Sequence, residues 1–269
     1  MTAGTNRDAR RSMDFTSWLA YFRENPTLQD AMDARIEWGA TTALEERHRR
    51  GFIRSFQRLE LGEGGEGRHL LAMAARAGDE TYLQALELLV AEEQRHSRLF
   101  GRALDYLGSP RLESHWSDTA FASLRRTRGL RTELGLFLIA ESVSMGYFEA
   151  LADNAPDAAL RGVGLRIATD ERNHLRFQVD RLRQGFARTP NAVRIAVRGL
   201  WTVIAAGAAA VVCLDHAHAL RACGLNPVRY WFRAVRRFNA VARPVFSRVN
   251  GAPLGPLPGR SDASGHHVG

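Results

Sequence analysis

Two short motifs constrain this chain more than any other feature of its sequence. In each, an acid precedes a glutamate, and a histidine stands three residues after that glutamate: Glu92–His96 reads EEQRH and Asp170–His174 reads DERNH. On an α-helix, positions i and i+3 lie on one face, so each motif offers a carboxylate and an imidazole to the same point in space. Two such helices that face each other can hold two metal ions, provided that two further carboxylates complete the ligand set.

An internal repeat supplies candidates for those two carboxylates. Each half of the repeat begins with a glutamate, Glu63 or Glu141, and thirty residues later comes the glutamate of a Glu-x-x-His pair. The midpoints of the two halves are Gly78 and Pro156, and both stand where the sequence predicts a turn. Two antiparallel helices joined at a short turn bring residues equidistant from that turn to the same height. The repeat therefore predicts four carboxylates and two histidines at one level.

Two further pairs share the Glu-x-x-His spacing, and short motifs of this kind recur by chance. Glu45 and His48 lie in a run of charged residues, which is typical of a solvated helix face. Glu66 shares the helical stripe of Glu63 and is an alternative or additional ligand. We interpret His69, its partner in spacing, as structural.

Glu141 is the only charged residue between Leu134 and Phe148. The surrounding residues are mostly apolar, and an unpaired buried charge is costly. This carboxylate is therefore expected to be paired or to bind a metal.

The hydrophobic periodicity predicts an all-α protein, because no alternating strand pattern or hairpin signal occurs. We expect four main helices within residues 56–188 and helical extensions on both sides, over 1–55 and 189–247, with a disordered tail at 248–269. In the first extension, Pro26 is expected to start a new helical segment. The glycine-rich residues 61–67 are either a loop or a close helix contact; a phosphate-binding loop is excluded, because two glutamates would repel the phosphate.

Charge and cysteine content favour a cytoplasmic protein that does not bind nucleic acid. The formal net charge is +8, but the basic residues, all arginine, are interspersed with acids up to about residue 190. Cys213 and Cys223 form no CxxC pair, and no apolar run long enough for the core of a signal sequence follows Arg10 and Arg11, so we do not expect a secreted protein.

Beyond residue 190 the chain has two features that bear on membranes. The uncharged run Gly199–Leu214 has 16 residues, fewer than the ~20 that span a bilayer, and we predict a buried helix instead. The helix predicted over 226–242 is basic and amphipathic, a pattern that can mark a membrane-surface helix. Its commoner meaning is a helix packed on its own domain or on a second subunit, and we adopt that interpretation. Membrane contact is thus not expected, and a homodimer is left open.

With its four glutamates and two histidines, the predicted set resembles the ferritin-like di-metal carboxylate proteins. Both motifs are similar to the Asp-Glu-x-Arg-His repeats of bacterial di-iron monooxygenases, the first departing by Glu for Asp and the second by Asn for Arg. The resemblance covers residues 56–186 and implies a ferritin-like four-helix bundle. It also implies ligand roles for six residues: Glu63, Glu93, His96, Glu141, Glu171 and His174.

In this resemblance, Glu93 and Glu171 bridge or chelate two metal ions, and Glu92 and Asp170 fix the histidine tautomers from behind. Mixed carboxylate and imidazole ligands favour Fe, with Mn or a mixed Fe/Mn pair as alternatives. The leading functional hypothesis is an oxidase or oxygenase that uses O2, a small organic substrate and an external electron donor. The alternatives are a ferroxidase or rubrerythrin-like peroxidase, a membrane-surface di-iron hydroxylase, and a helical scaffold without metal.

Overall fold

The computed structural model describes residues 12–39, 44–114 and 129–247, and this part of the chain is all-α, as predicted. In chain order the helices are α1 Phe15–Asp33, α2 Glu46–Glu63, α3 Arg68–Arg76, α4 Glu80–Tyr106, α5 Gly129–Asn154, α6 Ala158–Phe186, α7 Asn191–Asp215, α8 Ala217–Ala222 and α9 Pro227–Phe246. The predicted disordered tail at 248–269 lies outside the described residues.

The two helices that carry the Glu-x-x-His motifs begin at aspartate caps. Asp79 Oδ1 accepts a hydrogen bond from the Tyr82 amide at 3.0 Å and so caps the start of α4. Asp157 accepts from the Leu160 amide at 3.1 Å and starts α6 in the same way. These caps satisfy backbone donors that a helix start leaves unpaired, and so determine where each motif helix begins.

Helices α5 and α6 make the most extensive contact among the described helices. A Cβ placed on Gly164 would lie 2.5 Å from the amide nitrogen of Ala152, so only glycine permits this approach. Leu138, Ile139 and Val163 are fully buried nearby in the same hydrophobic core. This packing holds the helix bearing Glu141 against the helix of the second motif.

Residues 56–76 do not form one continuous helix, and the loop interpretation of the glycine-rich stretch is correct for residues 64–67. Helix α2 begins at Glu46 and ends at Glu63, and α3 starts only at Arg68. Gly67 has a φ of +60°, and a Cβ there would lie 2.8 Å from a methyl group of Val90. The loop therefore needs glycine both for its backbone conformation and for its contact with α4.

The expectation that Pro26 starts a new helix is wrong. Helix α1 continues through Pro26, although proline removes one backbone hydrogen bond. Buried residues lie on both sides of the proline, including Phe22 and Gln29, and the Trp18 indole donates to Asp180 of α6 at 3.0 Å. Tertiary packing of this one face outweighs the local preference of proline.

The prediction of a buried helix between residues 191 and 222 is also wrong. The helix breaks at His216, and of α7 only Arg194, Trp201, Ala205 and Ala209 are buried. Within the part of the chain that the structure describes, two helices are long and apolar enough to cross a membrane by length and composition. In α5, 72% of the relevant stretch is buried, but in α7 only 17% is. The apolar character of α5 is explained by the core, whereas that of α7 is not.

Candidate metal centre

Four helices bring the six predicted ligands towards one another. Glu63 is the last residue of α2, α4 carries Glu93 and His96, α5 carries Glu141, and α6 carries Glu171 and His174. Among the described residues, Glu93, His96, Glu171 and His174 form a buried group whose ligand atoms lie within 4.8 Å of one another. This group fits a di-metal site in an all-helical protein.

Each of the two motif glutamates lies close to both histidines. Glu93 is 2.8 Å from His174 Nδ1 and 3.6 Å from His96 Nδ1. Glu171 Oε1 is 3.4 Å from His96 Nδ1 and 4.0 Å from His174 Nδ1. Two ligands about 2.1 Å from one ion are about 3 Å apart at a right angle and about 4 Å apart on opposite sides. The observed separations therefore match those of atoms that share a cation.

The other nitrogen of each imidazole is held by the acid of the opposite motif. His96 Nε2 lies 3.0 Å from Asp170, and His174 Nε2 lies 2.8 Å from Glu92. A proton on Nε2 satisfies these carboxylates and leaves the Nδ1 lone pair directed at the glutamates. An acid that binds the outer nitrogen of a metal-ligating histidine orients the ring in this way.

Helix α1 completes the polar shell, and the sequence analysis did not identify its contribution. The Asn25 amide donates to Glu92 at 2.7 Å and to Asp170 at 3.3 Å, and Gln29 donates to Asp170 at 2.9 Å. Arg166 of α6 pairs with Asp170 as well. The sequence did contain a signal for this contribution. Asn25 and Gln29 are spaced by four and share the helical stripe of the apolar Trp18 and Phe22, a pattern that predicts a buried polar contact.

Several ligand atoms are buried without any hydrogen-bond partner among the described residues. They are Glu93 Oε1, His96 Nδ1, Glu141 Oε2, both carboxylate oxygens of Glu171, and His174 Nδ1. Buried polar atoms are nearly always satisfied, because each unmet one costs roughly 1–3 kcal/mol. All of these are lone-pair atoms of metal-ligand type, so a cation would satisfy them together. Glu92 and Asp170 could join His174 around an ion, but their oxygens are already hydrogen-bonded.

The two carboxylates outside the motifs complete the charge of the cluster. Glu63 lies beside Glu93, and one oxygen of Glu141 accepts a hydrogen bond from Gln178. Burial raises the pKa of Glu63 and of Glu141, and repulsion from the motif glutamates raises it further. The pKa of Glu171 is raised by burial and then by Glu93. The cluster therefore has more carboxylates than the neighbouring basic groups can neutralise. Bound protons neutralise the excess negative charge, and a bound cation would do so in place of the protons.

Opposing effects determine the pKa of each histidine. Burial lowers the pKa of His96, but its hydrogen bond to Asp170 and the nearby carboxylates of Glu171 and Glu93 outweigh burial and raise it. For His174, burial is likewise outweighed by the charge of the nearby Glu93 carboxylate and by the hydrogen bond to Glu92. Each ring thus lies in a strongly negative environment, as expected for a cation site.

The other sequence candidates lie away from this cluster. Glu66 is mostly exposed in the loop after α2 and pairs with Arg68. Glu45 is also exposed, next to the start of α2, and pairs with Arg47 at 2.7 Å. Burial therefore distinguishes the glutamates of these two chance pairs, which are exposed, from the glutamates of the two motifs, which lie in the buried cluster.

A cavity of about 460 Å³ reaches the metal-ligand cluster from one side. Glu63, Glu93 and Gln178 are among the residues that line it, and the glycines of the loop after α2 line another part of its wall. Its apolar surface comes from α3, α4 and α5, from Leu70, Leu86, Leu89, Val90, Leu134 and Phe137. A mostly apolar cavity with a few converging polar groups is the usual form of a small-molecule site.

A second polar pair lies in the cavity wall. His69 Nδ1 is 2.8 Å from the buried carboxylate of Glu133, and both residues line the cavity. Since Nδ1 is occupied, Nε2 remains for another partner. The sequence analysis interpreted His69 as structural and did not identify Glu133 as its partner, because Glu133 is distant in sequence and belongs to no recognisable motif.

Comparisons of this chain with protein-family models, with curated proteins and with solved structures found no significant match.

Proposed function

We propose that this protein is an O2-activating oxidase or oxygenase of the ferritin-like di-metal type, and that it acts on a small organic substrate. The observation that carries the proposal is a set of buried, unpartnered carboxylate and imidazole atoms next to a cavity lined mainly by apolar side chains. A scaffold without metal would not need these unsatisfied atoms, which destabilise a fold.

In this proposal, two metal ions would be held by the carboxylates of Glu93 and Glu171 and by Nδ1 of His96 and of His174. Glu63 and Glu141 complete the set as terminal carboxylates. Oxygen and nitrogen ligands of this mixture favour iron or manganese over soft metals. Two ions of this kind, when bound, supply electrons for the reduction of O2.

The protein's own residues would position the substrate and exclude water. The leucines and Phe137 of the cavity wall favour an apolar substrate body, and Glu63 and Glu93 line the same cavity, so a bound substrate would lie beside them. The pair of His69 and Glu133 offers a hydrogen-bonding group to a polar substituent. A ferroxidase has no use for an apolar chamber of this size, which is why we favour an organic substrate.

The test is to load the metal-free protein with ferrous iron in the absence of oxygen, count metal ions per chain, and then add O2. We expect two iron ions per chain that stay bound while O2 is consumed. Oxidation of many ferrous ions per chain would instead indicate an iron-handling protein. A protein that binds no metal would refute the proposal altogether.

Two alanine variants separate the proposed site from chance spacing. Glu171→Ala removes a carboxylate that lies within 4.0 Å of both histidines, and metal binding should be lost. Glu45→Ala changes an exposed glutamate that has the same spacing to a histidine, and the metal content should stay at two per chain. Loss of metal in the second variant alone would show that the ligands were wrongly chosen.

A further inference from the structure

Helices α7 and α9 form one outward face that is both apolar and basic. Between Val193 and Leu214, α7 carries only two charged residues: Arg194, which is buried, and Arg198, which is exposed. The large exposed apolar side chains of this face are Val193, Ile195, Leu200, Val203, Val211 and Leu214 from α7, and Val228 and Phe232 from α9. Soluble proteins rarely expose a continuous apolar area of this kind without a partner.

Three contacts show that the two helices run antiparallel, with their outer sides adjacent. The Trp231 indole donates to the Ala206 carbonyl at 2.9 Å, Thr202 contacts Asn239 at 3.1 Å, and Cys213 contacts the Pro227 carbonyl at 3.1 Å. Helical periodicity then places Val228 and Phe232 beside the exposed stripe of α7. The apolar area is therefore continuous across both helices.

Arginines border this area on the side of α9. Arg229, Arg233 and Arg236 are exposed, and none has an ion-pair partner among the residues that the structure describes. Residues 187–247 contain nine arginines but only one acid, Asp215, which is paired with Arg58. The border thus carries a positive charge that nothing in this part of the protein balances.

We propose that this face of α7 and α9 binds the surface of an anionic lipid membrane. Apolar side chains at its centre would enter the boundary between headgroups and acyl chains, and the arginines would contact the headgroup phosphates. This binding is independent of the metal centre, so either proposal can fail without the other.

The same contacts exclude a transmembrane arrangement of α7. Helix α9 lies beside it and carries its arginines along the length that would have to enter the bilayer core, where each costs about 2.5–3.5 kcal/mol. Arg194, on the inner side of α7, is held by the carbonyls of Phe186 and Ala187 at 2.6 and 2.8 Å. The helix therefore lies along the membrane plane.

A second copy of the chain is a poorer occupant of this face. A symmetric dimer would bring the arginines of both copies into one interface, with no acid on either side to pair with them. An anionic headgroup layer supplies the missing charge, which is why we favour the membrane.

The test measures co-sedimentation of the full-length protein with phosphatidylcholine vesicles, with and without about one third phosphatidylglycerol. We expect binding to the anionic vesicles that weakens as salt is added, and little binding to the neutral ones. Since each basic residue near such a surface contributes about 1 kcal/mol, replacing all three border arginines by glutamine should weaken binding on the order of a hundred-fold.

Substitutions on matched exposed positions make the test specific to this face. Val203→Glu and Phe232→Glu change side chains that are 69% and 63% exposed, and each should weaken vesicle binding at least ten-fold. Leu28→Glu and Leu165→Glu change leucines that are 51% and 52% exposed on α1 and α6, and should leave binding unchanged. Circular dichroism of each variant checks that it is folded.

Three results would overturn the proposal. The first is that the wild-type protein does not bind anionic vesicles. The second is a dimer, measured by light scattering, that Phe232→Glu dissociates while vesicle binding is unaffected. The third is vesicle binding that appears only after residues 248–269 are removed, which would show that the chain's own C-terminal segment occupies the face.

Discussion

Replacing Glu141 by glutamine should affect the metal-free and metal-loaded proteins in opposite directions. In the metal-free protein, Oε2 of this carboxylate has no hydrogen-bond partner, and burial together with Glu171 and Glu93 raises its pKa. The ionised form is thus unfavourable, whereas a neutral amide keeps the shape and can still accept from Gln178. An unpartnered buried group costs roughly 1–3 kcal/mol. Without metal, we expect the variant to be more stable by up to about 2 kcal/mol, or about 4–8 °C in melting temperature.

With metal, the order should reverse. A ligand present at a thousand times its Kd stabilises the folded state by about 4 kcal/mol, or about 8–16 °C for a chain of this size. Glu141→Gln lacks one carboxylate charge of the ligand set and should lose most of this gain. Thermal unfolding under anaerobic conditions, with and without ferrous or manganous ions, measures both effects.

The control for this experiment is Glu149→Gln on the same helix. Glu149 pairs with Arg237 on the outer side of α5 and does not belong to the cluster. Its loss should cost at most about 1 kcal/mol and leave the metal-induced shift unchanged. The reasoning is refuted if Glu141→Gln is less stable than wild type by more than about 1 kcal/mol without metal, or if it keeps the full metal-induced shift.

Three further predictions concern protons, the histidine orientation and the loop after α2. Because the pKa values of Glu63 and Glu171 are raised, protons compete with metal at these carboxylates at higher pH than at an ordinary glutamate. Metal affinity should therefore fall as pH is lowered. Metal addition should also release protons into a weakly buffered solution, which an indicator dye measures. Glu92→Gln weakens the hydrogen bond between residue 92 and Nε2 of His174, and we expect a 10–100-fold loss of metal affinity, measured by competitive chelator titration. An unchanged affinity would show that Glu92 does not orient this histidine. Gly67→Ala should cost about 1–3 kcal/mol in urea unfolding, because its φ is positive and a Cβ would contact Val90, whereas Gly65→Ala, with open space around its Cβ position, should cost much less.

The outcome for α7 shows where sequence patterns stop being informative. An uncharged run predicts burial, but it does not specify whether protein or another apolar phase covers it. In α5 a comparable composition is covered by the core, while most of α7 is exposed. Hydropathy is a property of the segment alone, and burial depends on what the rest of the chain brings to it.

By itself, the sequence determined the all-α class, the capped starts of the motif helices and the pairing of glutamate with histidine, because helical periodicity and capping are local. Tertiary structure alone decided that His96 is held by Asp170 of the opposite motif and that Asn25 of α1 supports both outer acids. It also decided that Glu45 is exposed while Glu93 is buried in the cluster. These outcomes depend on contacts between residues far apart in the chain, and no local pattern encodes them.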